Sequence, residues 1–296
     1  MNIVIFLSQN PFAYILTVFI LGLLVGSFLN VVILRLPVML KKQWHRDCQL
    51  FLAEHENRTL EETPVTEKKF NLILPRSHCP QCGHMIAAWE NIPLISYLLL
   101  RGKCRKCSTP ISIRYPLIEL LSGLLSVYAA LHFGFTTQAA TTMLLGWALL
   151  SLSFIDYDHQ YLPDNITLPF LWLGLILNLQ GVYTDIESAL IGAMAGYLIL
   201  WSIYQLFKAA TGKEGMGFGD FKLLAMFGAW LGWQMLPAII FLSSITGAVI
   251  GLALIVLNKQ DKNIPIPFGP YLAIAGWLAL LYGQDINQAY LAWIAH

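Results

Sequence analysis

The chain has 296 residues, of which 57% are hydrophobic and 12% charged, and its formal net charge is +1. A soluble domain carries about twice that charged share, so most of this chain is expected to be solvated by lipid. A charge so close to zero also excludes a nucleic-acid partner, because no continuous basic face can be built outside one loop.

Blocks of about 20 mostly apolar residues, the length that crosses a bilayer as a helix, recur along the chain. They predict an all-α polytopic membrane protein with eight spans, at roughly 12–36, 115–133, 137–156, 165–182, 186–207, 218–233, 235–257 and 268–283; the sixth is short. The first block lacks a basic n-region and runs into Gly26-Ser27-Phe28-Leu29-Asn30 without a small-residue cleavage site, so it is read as a span and not as a cleaved signal. The predicted organisation is a first span over 1–37, a cytoplasmic loop domain over 38–113 and a transmembrane bundle over 114–296.

Charge placement orients the spans. Eleven Lys and Arg lie between residues 38 and 113, with Arg35 and Arg114 at the edges. The others are Lys208, Lys213, Lys222, Lys259 and Lys262, all in or beside the loops after the fifth and seventh spans. The opposite loops and both tails carry none. The positive-inside rule then puts the long loop in the cytoplasm and both termini in the periplasm. Within that loop, Lys41 to Lys69 is charged, with Glu54, Glu56, Glu61 and Glu62 among the bases, and is expected to hold one helix. No internal repeat is read. Glycine pairs such as Gly192/Gly196, Gly228/Gly232 and Gly247/Gly251 are taken as sites of ordinary close helix packing.

Four of the five cysteines form Cys79-x-x-Cys82 and Cys104-x-x-Cys107, with 21 residues between the pairs. Each pair can aim two thiolates from one tight turn, and two such turns make the tetrahedral S4 set that Zn²⁺ prefers. Disulfides are the alternative, and a cytoplasmic location argues against them. Four thiolates leave no open position for water, so one zinc ion per chain is expected to be structural. His78 and His84 are then bystanders, and Cys48 is a free thiol without a role.

Ionisable groups inside spans are costly and signal function. Asp156 ends the third span in Phe154-Ile155-Asp156-Tyr157-Asp158, and Asp220 opens the sixth in Gly217-Phe218-Gly219-Asp220. Two carboxylates brought together can share a proton and a water, one acting as base and the other as acid. The flanking glycines leave room beside Asp220 for a substrate backbone. Asp158 and Asp164 are read as interfacial anchors, with Asp164 also a candidate N-cap. Glu119, one turn inside the second span, could snorkel or bond a neighbouring helix, and Lys222 is read as reaching the surface. A proton- or cation-coupled transporter is the non-enzymatic alternative, but transport sites lie nearer the bilayer midplane and need no cysteine module.

Several motifs taken together resemble the bacterial type IV prepilin peptidases, bifunctional leader peptidases and N-methyltransferases. They are Gly26-Ser27-Phe28-Leu29-Asn30-Val31-Val32 with Arg35-Leu36-Pro37; the two Cys-x-x-Cys pairs; Trp89-Glu90-Asn91-Ile92-Pro93 with Arg114-Tyr115-Pro116-Leu117-Ile118-Glu119; Phe154-Ile155-Asp156 through Leu162-Pro163-Asp164; Gly217-Phe218-Gly219-Asp220-Phe221-Lys222-Leu223; and Pro267-Phe268-Gly269-Pro270. Gly-x-Gly-Asp alone is less specific, because presenilin-like proteases carry it too. The resemblance covers nearly the whole chain. It implies that Asp156 and Asp220 are catalytic and that the substrates are type 4 prepilins and type II secretion pseudopilins, cleaved after a leader glycine at the inner membrane. It also implies that the new N-terminus is methylated with S-adenosylmethionine by the cytoplasmic loop, with Gly102 involved. Glu90 and Asn91 could bind the donor or could be surface residues or caps. A peptidase without methylation is the nearest rival. No Gly-x-Gly-x-x-Gly follows a strand, so a Rossmann donor fold is not expected.

Overall fold

A computed structural model describes residues 3–55, 70–258 and 267–294. Its helices are α1 (Ile3–Gln9), α2 (Pro11–His55), α3 (Ile95–Leu99), α4 (Arg114–Phe133), α5 (Thr137–His159), α6 (Asp164–Asn178), α7 (Ile186–Thr211), α8 (Phe218–Leu231), α9 (Leu236–Asn258) and α10 (Gly269–Ile294). Each of the eight expected spans is a helix, and among the described residues no strand forms. Five stretches are long and apolar enough to cross a membrane: α2, α4, α5, α7 and Trp233–Ala253, with a shorter apolar piece at Gly269–Gly283. By contrast α6 and α8 have only 15 and 14 residues. At 1.5 Å per residue each reaches about 22 Å, short of a bilayer core of about 30 Å.

The expected boundary of the first span, near residue 36, differs from the structure. Helix α2 is 45 residues long and passes Pro37 without ending. Proline removes one backbone donor, but Leu36, Pro37 and Leu40 are buried, and that packing carries the helix through to its polar half. The helix expected within Lys41–Lys69 is therefore, as far as His55, the continuation of the span. Glu56, Glu61, Glu62, Lys259 and Lys262 lie outside the described residues.

The chain forms two compact units, Met1–Tyr128 and Ala129–His296, divided within α4. In the first, α2 and α4 approach so closely that a Cβ on Gly22 would lie 2.8 Å from Gly123 Cα, and one on Gly26 2.7 Å from Glu119 Cα. Hydrogen bonds tie the same faces. Ser122 Oγ donates to the Gly22 carbonyl at 2.6 Å, and Asn30 Nδ2 donates to the Tyr115 carbonyl at 3.1 Å. The Gly26-Ser27-Phe28-Leu29-Asn30 motif thus has a packing function: its glycine admits α4 and its asparagine holds the start of α4.

The second unit is built around α8. From Asp220 to Leu231 every residue except Lys222 is buried. Neighbouring helices α6, α7, α9 and α10 pack on it. Lipid tails are as apolar as leucine, so burial in a membrane gives little drive; close packing and satisfied polar groups must hold the bundle. Gly192 on α7 and Gly228 on α8 meet backbone to backbone, as the glycine spacing suggests. Gly174 on α6 makes room for Trp230, whose Nε1–H donates to the Phe170 carbonyl at 2.7 Å. Helix C-termini leave orphan carbonyls, which are costly away from water. At the end of α8, Asn178 Nδ2 donates to the carbonyls of Ala229 and Trp230, both at 2.9 Å. The Asn178 side-chain oxygen in turn accepts the Tyr183 N–H.

Candidate active site and metal centre

Asp156 lies in the last turn of α5 and Asp220 in the first turn of α8. They are 5% and 8% exposed and close enough to repel each other electrostatically. Three small surfaces bring them together. The N–H of Gly269, the first residue of α10, donates to Asp156 Oδ2 at 2.9 Å. A Cβ on Gly269 would lie 2.6 Å from that same Oδ2 and 3.2 Å from Leu162 Cδ2. One on Gly219 would lie 2.9 Å from Leu162 Cβ. Leu162 therefore sits between the glycine beside Asp220 and the glycine bonded to Asp156. The two glycines serve by being small: each lets a neighbouring backbone or side chain close on the carboxylates.

Helix geometry gives the two acids different surroundings. Asp220 occupies an N-terminal turn, where backbone N–H groups and the helix dipole favour an anion. Asp156 occupies a C-terminal turn, where the dipole opposes one, and the Gly269 N–H offsets this from the N-terminus of α10. With Oδ2 of Asp156 accepting the Gly269 N–H, Oδ1 is the oxygen left without that bond.

The flanking charges are placed differently from the sequence expectation. Asp164 is the first residue of α6, whose N-cap is Pro163, so it is not the cap. Both its oxygens accept from Lys222 Nζ, at 2.7 and 2.6 Å. Lys222 is not simply a surface lysine; it ties the start of α6 to the start of α8. Asp158 is exposed on α5. Glu119 bonds both the loop and a neighbouring helix: its Oε2 accepts the Leu94 N–H at 2.9 Å, and its carboxylate also bonds the Ser27 side chain on α2.

The cysteine module comprises two knuckles with one hydrogen-bond plan. In the first, Gly83 N–H donates to Cys79 O and Cys79 N–H to His84 O, both at 2.9 Å, with Gly83 at φ 68°. In the second, Ser108 N–H donates to Cys104 O at 2.9 Å and Cys104 N–H to Thr109 O at 2.8 Å, with Ser108 at φ 57°. The outer pair repeats as well, Ile86 N–H to Ser77 O and Ile111 N–H to Gly102 O. This is a small structural repeat that is faint in the sequence, where only the cysteines and one isoleucine, Ile86 and Ile111, match. The four Sγ atoms lie within 4.8 Å of one another, with Cys79–Cys107 at 3.7 Å and Cys82–Cys104 at 4.0 Å. Thiolates about 2.3 Å from a tetrahedral ion stand about 3.8 Å apart, so these four could hold a metal ion. The Thr109 hydroxyl and N–H pull the Cys107 thiol down to about 6, favouring the thiolate that a metal needs. His84 Nε2 lies 3.2 Å from Glu90 Oε2, away from metal ligation, and Cys48 is a free, exposed thiol.

Glu90 is far from a surface residue: its side chain is 4% exposed. Its carboxyl is held below the usual range, first by the Ala87 N–H and then by His84 and Arg105. Gly102 has φ +66°, and a Cβ there would lie 2.9 Å from the Tyr97 hydroxyl. The structure places Asp156 with Asp220, and the four cysteines with Glu90 and Gly102. The feature of this candidate site with no signal of its own in the sequence is the Gly269 amide bonded to Asp156, although Pro267-Phe268-Gly269-Pro270 stands out as a motif.

Two family models match the chain: the bacterial peptidase A24 N-terminal domain over residues 20–133 and the type IV leader peptidase family over residues 143–252. A prepilin leader peptidase/N-methyltransferase of Stutzerimonas stutzeri is 58% identical over 286 residues, covering 97% of this chain and 96% of that one. Its namesake in Pseudomonas aeruginosa is 55% identical over the same shares. The one in Legionella pneumophila is 47% identical over 96% of each. No solved structure matches the chain at a significant level. Matches spanning both units, at these identities and end to end, show that the chain belongs to the type IV leader peptidase family.

Proposed function

We propose that this enzyme cleaves prepilin leaders with Asp156 and Asp220 and then methylates the new N-terminus with its loop domain. One observation carries the peptidase reading: two buried carboxylates from different helices converge on Leu162, Gly219 and Gly269. In the cleavage step the ionised carboxylate takes a proton from water while the protonated one gives its proton to the scissile carbonyl oxygen. The hydroxide forms the new C–O bond. The resulting diol then collapses: one hydroxyl returns its proton to the second carboxylate as the product C=O forms, the C–N bond breaks, and the amine leaves with the proton held by the first carboxylate. No metal is needed for this step.

Type 4 prepilins, and by the same chemistry pseudopilins, supply the substrate, cut after the leader glycine as a hydrophobic helix arrives through lipid. The basic loops face the cytoplasm and both termini the periplasm, at the inner membrane. Residues 114–296 form the peptidase, while 38–113 carry methylation. Zinc is the ion for the four cysteines, since an S4 tetrahedron suits it; it staples the loop and does not react. S-adenosylmethionine, held by the loop domain, would supply an electrophilic methyl group for the free amine created by cleavage, with S-adenosylhomocysteine and a proton released. A transporter is disfavoured by the end-to-end similarity to leader peptidases. The test is co-expression of a prepilin with wild-type protein and with Asp220→Asn. The wild type removes the leader; the variant inserts in the membrane and leaves the prepilin uncut. Processing by the variant would discard the dyad.

A further inference from the structure

A cavity of about 480 Å³ lies within the first unit, walled by α2, the start of α4 and the cysteine loop. Its volume falls in the range of pockets for small organic ligands, about 300–1,000 Å³. Two features show that it is built for a charged ligand. Glu90 lines it with a side chain only 4% exposed, and its Oε1 is buried without a hydrogen-bond partner. A buried carboxylate oxygen left so is costly, and a ligand donor would satisfy it. Beside it, the Arg105 guanidinium also lines the cavity, 3.8 Å from Oε1 and held 4.7 Å over the Trp89 ring. The remaining wall mixes apolar and aromatic side chains, including Ile86, Tyr97, Leu100 and Ile111, with polar ones, among them the charged Arg35 and Glu119 at the α2 and α4 side.

We propose that this cavity is the methyl-donor chamber, with Glu90 and Arg105 clasping the ammonium and carboxylate of the donor's amino-acid end. The proposal rests on the methyltransferase reading above. An α-amino acid carries both charges on one carbon, and a side-by-side carboxylate and guanidinium complement them. The apolar and tyrosyl wall suits a purine. Gly102 takes a different part, because it is not in the lining. It lies against Tyr97, which is in the lining, and any side chain there displaces that ring. Gly102 is thus a positioning residue for the chamber wall, and Glu90 and Arg105 touch the ligand.

The test is equilibrium binding to purified full-length protein in lipid nanodiscs, using S-adenosylmethionine and its decarboxylated analogue, with bound metal per chain as the check on folding. Arg105→Gln weakens the intact donor at least ~10-fold but the analogue, which lacks the carboxylate, by less than ~2-fold. Glu90→Gln weakens both, because both keep the ammonium. Ser96→Trp, which fills the cavity, removes both. Equal effects of Arg105→Gln on the two ligands, or none, would overturn the clasp. Donor binding indifferent to all three variants would remove the chamber while leaving the methyltransferase reading intact. Wild-type protein that cleaves prepilin yet neither binds donor nor methylates would sink that reading, and the chamber with it.

Discussion

Replacing Gly269 by alanine tests whether its amide aligns the proposed catalytic pair. The added methyl would stand 2.6 Å from Asp156 Oδ2, whereas ordinary contact begins near 3.4 Å. The carboxylate must therefore retreat by about 0.8 Å, which breaks the 2.9 Å bond from the Gly269 N–H. A displacement of about 1 Å at reacting groups costs about 100-fold in rate. Stability should change little. The clashing atom is the end of a side chain that can turn, and alanine favours the first turn of α10 more than glycine does. We expect kcat/KM for prepilin cleavage to fall about 100-fold in Gly269→Ala, with the thermal midpoint within about 3 °C of wild type. Steady-state cleavage by purified protein, paired with a melting curve, reads both. Wild-type rates would refute the alignment argument. A lost rate that merely tracks a collapsed melting point would assign Gly269 to packing.

Further outcomes follow from the same geometry. Asp156→Asn and Asp220→Asn each abolish cleavage while membrane insertion, read by fractionation, is unchanged; Asp158→Asn is mild because that side chain is exposed. Metal analysis of purified protein finds about one zinc per chain, and Cys79→Ser with Cys82→Ser loses it and impairs methylation at least as much as cleavage. Lys222→Met costs no more than about 1 kcal/mol in stability, since the ion pair is part-exposed, but slows cleavage by loosening the start of α8. Gly102→Val forces a β-branched residue into φ +66° against Tyr97, so mass spectrometry of the pilin N-terminus finds leaders removed and the product unmethylated.

Helix existence was legible because a bilayer imposes one length and one polarity on every span, and each of the eight apolar blocks is helical. Helix ends were less so. Proline at position 37 and the onset of charge at Lys41 both argue for a break, yet burial of Leu36 and Leu40 overrides them and α2 runs to His55. Nor could hydropathy separate helices that cross lipid from helices wrapped by others. The two are equally apolar, and only packing reveals α8 as the buried axis of its unit.

Side-chain identity drew attention to the cysteines and the two aspartates, because few roles place thiolate pairs in a polar loop or carboxylates at the end of an apolar helix, and the structure gathers the four thiols and buries both carboxylates. Backbone chemistry is silent in a sequence. The amide of Gly269 acts on Asp156 across 113 positions of chain, and only its motif hinted that the glycine mattered. The same holds for Glu90. Its neighbours Trp89 and Asn91 are exposed, so local reading gives a surface glutamate or a cap, and half of that is right: Oε2 does accept the Ala87 N–H. What sequence could not supply is the other oxygen, buried without a hydrogen bond and 3.8 Å from Arg105. One carboxylate thus does two jobs, bracing the loop with Oε2 while leaving Oε1 for a ligand. That division is why Glu90→Gln, which keeps an acceptor but loses the charge, is the substitution to make first.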